Sequence, residues 1–147
     1  MNDLLPKLAL AVRFELEEIT KNDKYCLSTE PFDLKPFPHG CCKLSSLILG
    51  LFMKNDFELI GVEYVWGMHT EKGSHGWIEY KSTIYDITID QFETELKNHP
   101  ILVINKSLSE FHNSYQSQNR FDVFLSESHE SYNIYKVIKE KVLSKFK

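Results

Sequence analysis

The stretch His39-Gly40-Cys41-Cys42-Lys43-Leu44-Ser45-Ser46-Leu47-Ile48-Leu49 decides the reading of this chain. A loop containing Pro38 and Gly40 gives way at Cys42 to a run in which Leu44, Leu47, Ile48, Leu51 and Phe52 follow a helical stripe. The stripe predicts a buried helix that starts at or just before Cys42. A helix N-terminus presents unpaired N–H groups and positive potential, which favour thiolate over thiol and can hold an oxyanion beside the sulfur. One local structure would activate a nucleophile and stabilise the charge that it creates.

Two later segments supply partners for that thiol. Ser74-His75-Gly76-Trp77-Ile78-Glu79 brings an imidazole, and Tyr85-Asp86-Ile87-Thr88 brings a carboxylate. Trp77–Tyr80 and Ile84–Ile89 have strand-forming composition and are separated by the polar Lys81-Ser82-Thr83, which predicts an antiparallel pair joined by a short turn. Such a pair would bring His75 near Asp86 on one side of a sheet, with the other imidazole nitrogen aimed at Cys42. Cys42, His75 and Asp86 are therefore the expected catalytic residues. Cys41, Trp77, His39 and Asp90 are expected to support them or to line the substrate site, with Asp90 as a reserve carboxylate.

Phe37-Pro38-His39-Gly40-Cys41-Cys42, His75-Gly76-Trp77-Ile78-Glu79 and Asp86-Ile87-Thr88-Ile89-Asp90-Gln91-Phe92 together resemble the transglutaminase-like branch of the papain-type cysteine-enzyme superfamily. The similarity spans roughly residues 36–92. Gly76 departs from the small alanine often found at its position, and Cys41 introduces a register ambiguity that the resemblance resolves in favour of Cys42. The resemblance implies an α+β fold in which the nucleophile-bearing helix packs on a mainly antiparallel sheet. It also implies attack by sulfur on an amide carbonyl to give a thioester, with His75 as acid and base and Asp86 as its orienting carboxylate.

The expected activity is then that of a cysteine hydrolase or glutamine deamidase acting on a protein or peptide, one version being a bacterial toxin or effector. A peptidase, a protein-crosslinking enzyme or another acyltransferase would use the same attack. A non-enzymatic binding or inhibitory domain on the same scaffold is a separate class. No cofactor is expected.

Composition bounds these readings. The 147 residues suit one domain over 1–147, and 42% hydrophobic residues are enough for a core. No apolar run approaches about 18 residues, so no membrane span is expected. The early acidic residues do not form a signal-peptide pattern. Three cysteines make no balanced disulfide framework, which favours a reducing cytoplasm, either the protein's own or that of a target cell. With 17 Lys and Arg against 21 Asp and Glu, no broad nucleic-acid face is expected, and the lysines of the C-terminal segment read as a solvated helix face.

The same donors could in principle hold zinc, through Cys26, His39, Cys41, Cys42, His69, His75 and Asp86. No Cys-x-x-Cys or His-Glu-x-x-His spacing supports this, so no metal ligand is assigned. Gly40, Gly50 and Gly61 form neither a phosphate loop nor a dinucleotide fingerprint.

Outside the central segments, Leu5, Leu8, Val12, Leu16 and Ile19 predict an amphipathic helix ending near Asn22-Asp23. An irregular approach follows through Pro31, Pro36 and Pro38. Phe57–Trp66 reads as a strand, and Gly67 to Gly73 as a connection. Ile101–Ile104 and Phe121–Leu125 read as further strands, Ser107–Gln118 as a polar loop with one helical turn, and Ile134, Ile138 and Val142 as the stripe of a C-terminal helix.

Overall fold

The computed structural model describes residues 3–21, 25–29, 37–92 and 98–147. Helix α1 spans Leu4–Ile19, α2 Cys42–Leu51, α3 Glu110–Asn113 and α4 Glu130–Ser144. The strands are β1 Glu63–His69, β2 Gly73–Tyr80, β3 Thr83–Asp86, β4 Leu102–Asn105 and β5 Ser117–Asp122. They form one antiparallel sheet in the order β4-β3-β2-β1-β5. This is an α+β architecture with helices packed on a mainly antiparallel sheet. The expected end of α1 near Asn22-Asp23, and Pro31 and Pro36, lie outside the described residues.

Alternation along the strands separates the two faces of the sheet. Tyr64, Ile78, Tyr80 and Tyr85 share one face and join the main core with Leu8, Val12 and Leu16 of α1, Ile48 and Leu49 of α2, and Ile134, Ile138 and Val142 of α4. Helix α2 approaches β2 closely, and Ser46 Oγ donates to the Gly76 carbonyl at 3.2 Å. Gly76 is required at that contact, because a Cβ there would run into the Tyr64 ring and hydroxyl. The opposite face carries Val65, Trp77 and Ile84, which make a second, smaller core with Tyr115. The segment from Lys106 to Tyr115, a 3-10 turn (Lys106–Leu108) followed by α3, covers it.

Several boundaries differ from the sequence reading. The strand expected over Phe57–Trp66 begins only at Glu63, because α2 runs on into a π-helical turn, Phe52–Asp56, and the chain then bends through Glu58 (φ 54°) and Gly61 (φ 91°). Gly67 to His69, expected in a connection, belong to β1. Lys81 and Ser82, at φ 49° and 62°, form the two-residue turn between β2 and β3, so Thr83 is already strand. The strand expected over Phe121–Leu125 lies earlier, at Ser117–Asp122, as a polar edge.

Candidate functional site

Sheet register builds the site. Ile78 pairs with Tyr85, which sets Asp86 level with Trp77 and one diagonal step from His75 on the same face. His75 lies opposite Gly67 on β1, where a side chain would collide with Trp77 and Tyr115. His75 Nε2 is 2.6 Å from Asp86 Oδ2. The same oxygen is 2.8 Å from Nε2 of His112, carried by α3. Asp86 Oδ1 accepts the Thr88 backbone N–H at 3.1 Å. Both His75 and Asp86 are 0% exposed and His112 is 1% exposed. The one ligand-capable atom from each of these three residues lies within 4.8 Å of the other two.

Aromatic rings enclose the cluster. The Trp77 ring lies 5.8 Å from His75 and 4.7 Å from His112, while Phe92 stands edge-on to His75 at 4.8 Å. The second nitrogen of each imidazole is also engaged. His75 Nδ1 meets Gln91 Nε2 at 3.0 Å, and Gln91 Oε1 accepts the Gly40 N–H at 3.3 Å. His112 Nδ1 meets Ser109 Oγ at 2.6 Å, and that serine also caps α3 by accepting the His112 N–H. These contacts hold both rings with Nε2 directed at Asp86.

Charge follows from this enclosure. Burial alone would raise the Asp86 carboxyl, but the charge of His75 and hydrogen bonds from both imidazoles hold it far below the usual carboxylate range. Burial alone would lower His75, yet the Asp86 charge and hydrogen bond, with a contribution from Cys42, push it up to about 10. A buried carboxylate is tolerated here because three donors reach it.

The structure brings His75 and Asp86 together and adds His112, which the sequence reading left unassigned. Cys42 occupies the first turn of α2 and stands outside the cluster. Its thiol meets the His75 ring and the Gly76 backbone. Burial raises the thiol, but the hydrogen bond and charge of His75 outweigh it and leave the group below its ordinary value. Cys41 is buried in the main core and donates to the His39 carbonyl at 3.3 Å. His39 is half-buried in the turn before α2. Trp77 is fully buried, and its indole N–H donates to Glu79. Asp90 turns to Arg13, which it meets with both carboxylate oxygens at 2.7 Å. It is a structural ion-pair partner, and no reserve carboxylate for His75.

This centre overturns the expected Cys-His-Asp triad. A triad carboxylate orients one imidazole toward a nucleophile; here Asp86 Oδ2 is divided between two imidazoles, and no cysteine belongs to the cluster. The resemblance to the transglutaminase-like and papain-like enzymes therefore does not hold, although the coarser α+β expectation does. The thioester mechanism falls with it, together with the hydrolase, thiol protease, deamidase, crosslinking, acyltransferase and toxin readings that assumed it. A binding or inhibitory domain on a papain-like scaffold loses its basis too. No protein-family model, curated protein or solved structure matches the chain.

Among the described residues, no helix is long and apolar enough to cross a membrane. Nothing in the site specifies a glutamine or another scissile amide as its target.

Proposed function

We propose that His75, Asp86 and His112 bind one divalent first-row metal ion, with zinc the best chemical match. The observation that carries this reading is the convergence of two imidazole Nε2 atoms and one carboxylate oxygen within 4.8 Å, all shut off from solvent. Two imidazoles and one carboxylate form a recurrent three-ligand set for zinc and for iron(II). Gln91 and Ser109 stand at the far nitrogens, where partners fix ring orientation in metal sites.

Ser109 suits either state of His112, because a hydroxyl both donates and accepts. His75 carries a proton on Nδ1 both as an imidazolium and when Nε2 is committed to a metal, so in either state Gln91 presents its amide oxygen to that nitrogen. In the metal-free state, protons hold the three groups together at 2.6 and 2.8 Å. Metal binding releases those protons and widens the contacts.

A second reading is favoured by the short His75–Asp86 contact and the raised His75: the cluster is a proton-sealed polar core whose role is structural. Titrating chelator-treated protein with zinc, in competition with a colorimetric chelator, separates the two. The metal reading expects one ion per chain in wild type and loss of stoichiometric uptake in Asp86→Asn and His112→Gln. No uptake by folded wild type would leave the structural reading.

The setting belongs to the same proposal. Cys26, Cys41 and Cys42 are all free of disulfides, which supports a reducing compartment such as the cytoplasm. Packing of α1, α2 and α4 around one core supports treating 1–147 as one domain.

A further inference from the structure

Five buried side-chain polar atoms among the described residues have no hydrogen-bond partner, and the Tyr115 hydroxyl is one of them. Tyr115 is 3% exposed. Its ring packs over Gly67, 6.3 Å from the His75 ring, 5.5 Å from Trp77 and 5.7 Å from Phe111. Its hydroxyl is near enough to Asp86 and Cys42 for both to oppose loss of its proton, in addition to the effect of burial. An unpaired buried hydroxyl costs about 1–3 kcal/mol and calls for an explanation, of which a bound water or ion is one. Among the described residues three donors converge on the proposed ion, whereas a tetrahedral centre takes four.

We propose that the Tyr115 hydroxyl hydrogen-bonds to a small exogenous ligand at the fourth position of the metal, a water-sized oxygen donor or a small anion. This inference rests on the metal reading above. The rings of Trp77, Phe92, Phe111 and Tyr115 stand 5.8, 4.8, 6.0 and 6.3 Å from the His75 ring, and this close packing favours a ligand of few atoms. Tyr115 is then a positioning residue for the bound ligand and leaves the metal itself to His75, Asp86 and His112.

Cobalt(II)-loaded protein titrated with azide tests this, because the visible spectrum of cobalt reports both its coordination and its anion ligand. Wild type is expected to take one cobalt per chain and to change spectrum on saturable azide binding. Tyr115→Phe, which keeps the ring, is expected to bind cobalt with affinity within about twofold of wild type and azide at least about tenfold more weakly, the effect of losing one hydrogen bond to a charged ligand. Tyr64→Phe removes an equally unpartnered buried hydroxyl on the other sheet face and is expected to match wild type. Equal azide affinity in wild type and Tyr115→Phe, or a cobalt spectrum indifferent to azide, overturns the Tyr115 assignment and leaves the metal site standing. Failure of wild type to bind cobalt removes both.

Discussion

One face of the sheet presents Ile78, Tyr80 and Tyr85 to α1, α2 and α4, while the other holds His75 and Asp86 beneath the short segment that carries His112 and Tyr115. The first face is stabilised by apolar burial, which is tolerant of detail and spread over many residues. The second depends on one carboxylate whose charge must be matched atom by atom. Small-core rings exclude water from it and so strengthen each of its polar contacts. The contrast sets distributed apolar burial on the helical face against concentrated charge pairing on the other.

The largest expected effect is at the polar centre. Asp86→Asn removes the charge that balances His75 and should destabilise the metal-free protein by about 4 kcal/mol, within the range found when one partner of a buried pair is removed. Denaturant midpoints measure it; a loss below about 1 kcal/mol would mean that Asp86 and His75 do not form a charged pair. On the helical face, Leu49→Ala creates a cavity at a fully buried position and should cost about 3 kcal/mol. Metal uptake should survive that change, because the site lies across the sheet. Parallel loss of stability and uptake would erase the distinction between the faces.

Asp90→Asn should have an intermediate effect. It weakens the Arg13 pair that also ties α1 to the Ile87 and Pro100 carbonyls, at a cost of about 2 kcal/mol. Zinc affinity should stay within a few-fold of wild type, measured by chelator competition; a loss as large as that of Asp86→Asn would bring Asp90 back into the site.

A more graded effect is expected from pH in the metal-free protein. His75 is raised from 6.5 to about 10, so its stabilisation is complete below about 6.5 and is lost as pH rises through about 10. Cys42 is lowered, so its contribution grows with pH until about 9 and then levels off. Asp86 is lowered too, and its contribution disappears only in acid. Above pH 9 the His75 loss therefore stands alone within this group. Urea midpoints should fall there more steeply for wild type than for His75→Gln, and equal slopes would argue against an imidazolium at this position.

Sequence reading reached the helical face and half of the polar one. The stripes of α1, α2 and α4 survive because they are buried along one side, and His75 and Asp86 were legible because two adjacent strands carry them past a short turn. His112 was not, because its segment is polar and short, and the burial of an isolated imidazole there depends on Asp86 from a distant strand. Its faint signals are Ser109 as a cap for a single helical turn and the i,i+4 spacing of Phe111 and Tyr115. Gln91 was equally hidden, since its role depends on where His75 and Gly40 meet in space. Edge strand β5 lacks apolar alternation because only its ladder faces a neighbour; Ser117, Asn119 and Arg120 are exposed and gave no strand signal.

The measurement that tests the central claim most directly is zinc-edge X-ray absorption on the zinc-loaded protein. A His75-Asp86-His112 centre predicts a first shell of nitrogen and oxygen at about 2.0–2.2 Å with the outer scattering of two imidazoles and no sulfur. A sulfur shell at about 2.3 Å would place Cys42 on the metal, and absence of bound zinc after loading would remove the metal centre; either result contradicts the account.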